Sequence, residues 1–173
     1  MASVDQAFLT YRQKFPPRAP DRTRIRSDDE LRQITVEEGL RTFTVAPALG
    51  VATGAPPISS DTPTPDKYHW VIEPGRLSYA LEALPGVSLR RGRLAHTNLT
   101  GGADAHCGGE MWFVDPCAIV FNGGSGRYPA RSAQELGAIA IAFKSCGYRV
   151  ANMGWDMGID DAARYLRGNP LWM

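Results

Sequence analysis

Cysteine is scarce in this chain: three residues, Cys107, Cys117 and Cys146, with no CxxC pair among them. An odd count at these spacings argues against a disulfide framework and fits reduced thiols in a reducing compartment. Histidine is equally rare, and His69, His96 and His106 fall into no zincin or zinc-finger spacing, so no metal is expected. Long apolar runs are missing. Nothing approaches the roughly 20 apolar residues of a membrane-crossing helix. The opening MASVDQAFLTYRQ also lacks the basic start and apolar core of a signal peptide. The expectation is a cytoplasmic protein, or one delivered into a target cytosol, with no membrane partner. An excess of one charge is absent too. The net charge of +1 argues neither for nor against nucleic acid.

What is present suits one domain: 173 residues, 43% of them hydrophobic, can bury a core without a staple. Charge is uneven along the chain. Residues 1–26 carry Arg12, Lys14, Arg18, Arg22, Arg24 and Arg26 against Asp5 and Asp21. This reads as a solvated basic arm, with contact to RNA or an acidic partner as the alternative.

Three parts are expected: a helical, basic front over residues 1–45, a Pro/Gly-rich linker or loop over 46–66, and an α+β core over 67–173. The first helix covers residues 4–14 and stops at Pro16-Pro17. Ser27 with Glu30 forms a capping box that predicts a second helix, striped by Leu31, Ile34 and Leu40 and ended by Gly39. Pro47, Pro56, Pro57, Pro63 and Pro65 remove ladder donors and keep the linker extended. Strands are predicted at residues 68–72, 110–114 (EMWFV) and 118–122 (AIVFN), the last two joined by a turn at Asp115-Pro116. Residues 77–84 fit a short helix or a strand. Residues 89–99 read as a strand with Arg90, Arg91 and Arg93 on one side.

A helix from Ser132 to Cys146 carries a second capping box, Ser132 with Glu135, and turns Leu136, Ile139, Ala140 and Phe143 to the sheet. Gly147 supplies its left-handed stop. A strand over 148–152 and a terminal helix over 160–167, N-capped by Asp160, complete the chain. The fold class is α+β: a single domain with a mainly antiparallel sheet, one long packed helix and a helical N-terminal segment.

Three polar clusters stand beside glycines at strand ends: His96-Thr97-Asn98 before Gly101-Gly102, Gly108-Gly109-Glu110, and Asn122-Gly123-Gly124-Ser125-Gly126-Arg127-Tyr128-Pro129. Glycine permits close approach of a ligand to backbone. Each cluster alone fits a tight turn. Together they place reactive residue types close enough to converge on one cleft. Expected catalytic residues are His96, Glu110 and Tyr128. Thr97, Asn98, Asn122, Ser125, Arg127 and Arg131 are expected to bind substrate or phosphate.

The GGSGRYP loop, running into a helix N-terminus with Arg127 and Arg131 nearby, reads as an anion site. It is neither a P-loop nor the GxGxxG fingerprint, which needs a βαβ unit not visible in the sequence. Cys107 beside His106 is a poor nucleophile–base pair, because neighbours on a strand point to opposite faces.

These clusters resemble a domain found in C-terminal regions of bacterial polymorphic toxins and in plant IQ-motif calmodulin-binding proteins. Its pattern is a His-Ser-Ser-Phe-Leu strand, then Ala-Gly-Gly with a downstream Ala-Gly-Glu, then Ser-Gly-His-Tyr-x-Pro before a helix. The matching residues are His96, Thr97, Asn98 and Leu99, then Gly101-Gly102, Ala105, Gly109-Glu110 and Ser125-Gly126-Arg127-Tyr128-Pro129. The resemblance spans roughly residues 67–150. Ser-Ser is replaced by Thr97-Asn98, the second His by Arg127, and Pro129 follows Tyr128 directly. No IQ motif is present. The resemblance implies a toxin or effector setting, with a neutralising or chaperone protein as partner.

The chemistry first expected is a nucleotide-using transferase of ADP-ribosyltransferase type, with NAD as substrate. His96 would hold the nicotinamide ribose, Tyr128 would stack and orient, and Glu110 would stabilise an oxocarbenium-like centre. The alternative is a metal-independent ribonuclease. Glu110 would be the base and His96 the acid, Arg127 with Arg91 would clamp phosphate, and the basic arm would hold RNA. The third reading is a non-enzymatic phosphate- or protein-binding module in which Arg127 is essential and Glu110 dispensable.

Overall fold

A computed structural model of the chain describes residues 2–173. Helix α1 (Val4–Lys14) starts where the Ser3 hydroxyl accepts the Gln6 N–H, with Asp5 in its first turn and Arg12 and Lys14 in its last, so both ends complement the helix dipole. It buries Phe8 and Tyr11 against α3 (Ala133–Ser145). There the predicted stripe of Leu136, Ile139, Ala140 and Phe143 is buried, and Gly147 follows at φ +92°.

The main sheet holds β1 (Arg41–Thr42), β2 (Tyr68–Ile72), β3 (Leu77–Leu81), β4 (Cys107–Asp115), β5 (Ala118–Asn122) and β6 (Arg149–Asn152) in the order β1-β3-β2-β4-β5-β6. All neighbours are antiparallel except β5 and β6, which run parallel. Since α3 connects that pair, the chain does contain a βαβ unit, and the GGSGRYP loop is its first connection. The three elements are each predicted, but no local pattern encodes the parallel pairing of β6 with β5 that makes them one unit.

Alternation divides the sheet. Tyr68, Trp70, Ile72, Leu77, Tyr79, Met111, Phe113, Ile119 and Phe121 join α1 and α3 in the larger core, where Phe143 packs edge-on to Phe8, Phe43, Trp70 and Phe121. Such contacts add about 0.5–1.5 kcal/mol per pair beyond area burial. The opposite face is covered by loops, through a smaller cluster of Val71, Ala80, Leu94, Leu99 and Tyr128 with Ile34 and Leu40. The front therefore belongs to the same packed body as residues 67–173.

Several expectations change. The predicted second helix is one 3-10 turn, Asp28–Leu31; Ser27 turns its hydroxyl to Asp29 instead of capping, and Glu30 is drawn inward by two arginines. Residues 89–99 are not a strand. They form turns that lead into a one-turn helix, α2 (Thr97–Thr100), because Gly92 stands at φ +68° and Asn98 ties its own turn to Ala95. Residues 77–81 are the strand of the two options.

The terminal helix is replaced by a small hairpin, β7 (Trp155–Asp156) with β8 (Asp161–Ala162). Asp160 sits in it at φ +50° and accepts the Trp155 indole N–H, so it caps nothing. The Pro-rich segment is extended but not free, for Ala48 and Gly54 donate to Pro116 and Phe113. Nor is the basic arm a solvated tail. Arg18 pairs its backbone with Ala105 and gives its side chain to the Pro129 carbonyl, while Asp21 N–H bonds the Arg127 carbonyl. Among the described residues, no helix is long and apolar enough to cross a membrane.

Candidate functional site

On the loop-covered face, strand register aligns three polar residues. His69 on β2 lies opposite Glu110 on β4, which lies opposite Asn122 on β5. The alternation that sends Tyr68, Trp70 and Ile72 into the core sends His69 to this face. Glu110 is locked in place. Its Oε1 accepts the Lys67 ammonium at 3.0 Å, its Oε2 accepts the Asn122 amide at 3.0 Å, and its N–H donates to Asn122 Oδ1 at 3.1 Å. Asn122 Oδ1 also accepts the Gly124 N–H, which anchors the glycine loop to the row.

His96, just before α2, drops onto this row. Its ring stacks on His69, with centroids 4.2 Å apart and planes 6° from parallel. Its Nε2 meets the Gly109 carbonyl at 2.8 Å. Since a carbonyl only accepts, Nε2 carries the proton and Nδ1 the lone pair. The glycines of Gly108-Gly109 make room. A Cβ at Gly108 would stand 3.1 Å from His96 Cδ2, and one at Gly109 would fall 2.0 Å from the Asn122 carbonyl. The Gly-Gly-Glu cluster is therefore a platform for the imidazole pair.

The two histidines have opposite surroundings. Burial, then the charge of His69, pushes His96 well below the ordinary value of 6.5; Arg127 and Arg164 push the same way, while the Gly109 carbonyl only partly offsets them. His96 is thus a neutral imidazole at pH 7. His69 instead places Nε2 3.4 Å from the Glu82 carboxylate. Burial raises Glu82, but His69 and Lys67 outweigh it and hold the carboxyl at about 2. Lys67 bridges Glu82 and Glu110 at 3.0 Å each; burial alone would lower it, and the two carboxylates raise it instead.

Around this centre lies a cleft of about 190 Å³ whose lining includes five cations, Lys67, Arg91, Arg93, Arg127 and Arg164, against the carboxylates of Glu82 and Glu110. Arg91 and Arg127 are anchored from behind by buried Glu30, at 3.2 and 2.6 Å. Arg93 and Arg164 are exposed at the rim. Arg93 comes no nearer than 3.9 Å to Glu82. At Gly124 a Cβ would meet Arg164 Nη1 and Asn122 Oδ1, each at 2.8 Å, so this loop position needs glycine for the guanidinium to lie over it.

Of the expected catalytic residues, His96 and Glu110 share the cleft. Tyr128 does not. It is fully buried in the smaller core, bonded to Thr100 and the Ala103 carbonyl, with its phenol pushed up to about 12 by burial. The expected binding residues divide similarly. Arg127 lines the cleft, and Asn122 positions Glu110. Asn98 instead holds the Asp29 and Arg32 carbonyls, and Ser125 accepts the Arg127 and Tyr128 N–H groups within its own turn. Thr97 is fully buried outside the cleft lining.

Arg131 is on the far face, bonded to Glu135 and the Pro16 carbonyl. The anion site expected at the N-terminus of α3 is already filled. Glu135 takes the Arg131 N–H at 2.6 Å and the Tyr11 hydroxyl at 2.8 Å, so the carboxylate of the capping box supplies the anion. Cys107 is sealed in the core with its thiol raised by burial, and His106 bonds the Phe15 carbonyl.

Lys67, His69, Glu82, Arg93 and Arg164 were not among the expected site residues. A histidine inside the apolar run YHWVI is the signal that could have found His69: in a strand it must face away from Tyr68 and Trp70. Among the described residues no three of His, Cys, Asp and Glu are grouped to hold a metal ion. No family model, no curated protein and no solved structure matches the chain.

Proposed function

We propose that the cleft acts on phosphate-linked nucleotides and that its activity is metal-independent cleavage of RNA. The observation that carries this reading is the stacked pair His69–His96 within a cationic cleft, in which burial keeps His96 neutral with its lone pair on Nδ1 while His69 turns Nε2 to the Glu82 carboxylate. A neutral imidazole can serve as the base and a second imidazole, whose N–H faces a carboxylate, as the acid. Neutral His96 takes the 2′-hydroxyl proton on Nδ1 as that oxygen attacks phosphorus. The bond from phosphorus to the 5′-oxygen breaks, and the leaving oxygen takes the Nε2 proton of His69 in its imidazolium form, which leaves a neutral ring held by Glu82. The products are a 2′,3′-cyclic phosphate and a free 5′-hydroxyl.

Arg93 and Arg164 meet the phosphate, and Lys67 carries positive charge into the cleft floor. These roles reverse the expected ones. Both oxygens of Glu110 are already engaged, and a histidine held well below 6.5 is a base at neutral pH, not an acid.

One observation favours the transferase reading. Glu110 is held rigidly in the cleft by Lys67 and Asn122, a fixed charge of the kind that stabilises an oxocarbenium-like centre on NAD. That reading has to do without Tyr128. The toxin or effector setting, and a neutralising partner, stay within this proposal. The test is a single-stranded RNA incubated with the protein in EDTA, beside a parallel incubation with NAD. Cyclic-phosphate products that vanish in His96→Ala support RNA cleavage. Intact RNA with NAD consumed assigns the transferase. Phosphate binding with neither reaction assigns the binding module.

A further inference from the structure

Beyond the Lys67–Glu110 wall, the cleft continues into a second cavity of about 330 Å³ beneath the Pro-rich loop. Lys67, Arg93, Glu110 and Arg164 line both spaces, so they share one boundary. Three features of the second cavity have no structural employment. Trp112 lies fully buried beside it on β4, two residues from Glu110 on the same face, and its indole N–H is sealed with no acceptor. A sealed donor without a partner costs about 1–3 kcal/mol. Tyr165 stands at the rim with its ring 40% exposed. The loop adds Ser60 and Thr64, which make no hydrogen bond through their hydroxyls among the described residues, whereas Thr62 is spent on the Ile58 and Ser59 N–H groups.

We infer that this second cavity is a nucleoside subsite, which takes the unit attached to the far side of the phosphate held between Arg93 and Arg164. The inference rests on the phosphate reading of the main cleft. Tyr165 offers a face for base stacking, a sequence-tolerant contact suited to single strands. Trp112 lines the cavity, and its partnerless Nε1–H gains an acceptor when the base edge or ribose of an occupant displaces the cover that now seals it. The two shared guanidinium groups lie where the linking phosphate of two neighbouring units would pass. The preferred substrate therefore has at least two nucleosides joined through phosphate. An RNA strand meets that description, and so does a dinucleotide cofactor.

Titration calorimetry on the full chain tests this with four probes: inorganic phosphate, adenosine monophosphate, an adenosine dinucleotide carrying 2′-deoxyribose at the scissile position, and NAD. The dinucleotide is expected to bind about tenfold or more tightly than the mononucleotide. Trp112→Phe, which keeps an aromatic ring and loses the N–H, and Tyr165→Ala, at an exposed position, should each cut that advantage severalfold and leave mononucleotide binding unchanged. Equal affinity for mono- and dinucleotide in the unaltered protein would overturn the subsite and leave the phosphate reading standing. So would an advantage that survives both substitutions. Absence of binding by every probe would overturn the phosphate reading and the subsite together. If NAD shows the advantage and the RNA dinucleotide does not, the subsite holds and RNA cleavage falls.

Discussion

On the face of β4 that meets α1 and α3, the chain presents Cys107, Met111 and Phe113; on the other it presents Glu110 and Trp112 beside the imidazole of His96. Both faces hold buried charge, but they treat it differently. Glu135 on the helical side is fully buried, and the Tyr11 hydroxyl, the Arg131 guanidinium and a backbone N–H satisfy both its oxygens. It staples the front of the chain to α3 and leaves nothing for a ligand. On the cleft side His69 keeps a sealed Nδ1 with no partner, Trp112 keeps an unused N–H, and Arg164 stands open. Isolated partnerless atoms also lie outside the cleft, at Arg12, Arg18 and Thr97; it is their gathering beside open cations that marks a place for a ligand.

The comparison breaks most clearly if one face is cut and the other responds. His96→Ala is expected to lower turnover of RNA by about 10²–10⁴-fold, the usual worth of a general base, out of proportion to the stability lost with its buried, Gly109-bonded ring. Initial rates and urea midpoints on the same preparation check both halves. Phe143→Ala should do the reverse. It removes the ring that touches Phe8, Phe43, Trp70 and Phe121, and should cost about 3–5 kcal/mol. Glu135→Ala should cost about 3–5 kcal/mol as well, because it leaves the Arg131 charge and the Tyr11 hydroxyl without their acceptor. If Glu135→Ala left stability intact while abolishing activity, the division between the faces would fail.

Proton linkage sharpens the same contrast. His96 is held below 6.5 in the folded chain, so as pH falls the unfolded chain binds that proton first. Its neutral form favours folding fully above about pH 6.5, and stability declines below it. Glu82, lowered from 4.5 to about 2, contributes stability above pH 4.5 that is lost as pH falls toward 2. Two successive acid limbs are therefore expected; His106, also lowered by burial, shares the upper one, so His96→Gln should shrink that limb between pH 7 and 5 without removing it. Urea midpoints at half-unit pH steps decide it; an unchanged upper limb in the variant would move the effect to another group.

The smallest expected effect concerns thiols. Only exposed Cys117 should react quickly with a disulfide reagent in the native protein, while buried Cys107 and Cys146, both pushed up by burial, wait for unfolding. Cys117→Ser should leave activity unchanged.

What was readable in the sequence follows the strength of local signals. The proline stop after α1, the capping box and periodicity of α3 and the apolar strands β2, β4 and β5 are strong patterns, and all three kinds of element are present. The predicted helix over residues 27–39 failed because Glu30 has a better partner in Arg127, 97 positions away, than in its own cap. The predicted strand over residues 89–99 failed because Gly92 and the Asn98 side chain bend it into turns, while Arg91 is drawn to Glu30. The site was legible in part. His96, Glu110 and Arg127 announce themselves by sitting beside glycines. His69, Glu82 and Arg164 meet them only through strand register and the fold of the C-terminal segment, which no local pattern encodes. Tyr128 misled because a tyrosine in a glycine loop can point inward as easily as outward.

The clasp made by Glu30 on Arg91 and Arg127 also bears on the order in which the molecule assembles. Its two ion pairs span 61 and 97 residues, and the Asp21 and Arg18 contacts with the glycine-loop region are comparably remote in sequence. Ring closures of that length carry a large entropy penalty before any contact rewards them. Strands β2 to β5 can condense from nearer contacts, Ile72 with Leu77 and Asp115 with Ala118 among them; the back wall of the cleft, like the α1 layer that sets Phe8 on Phe143, must wait for the front of the chain to arrive. Recovery of activity on refolding should therefore lag behind the fluorescence change that reports burial of Trp70 and Trp112 on β2 and β4, and the lag should lengthen in Glu30→Gln.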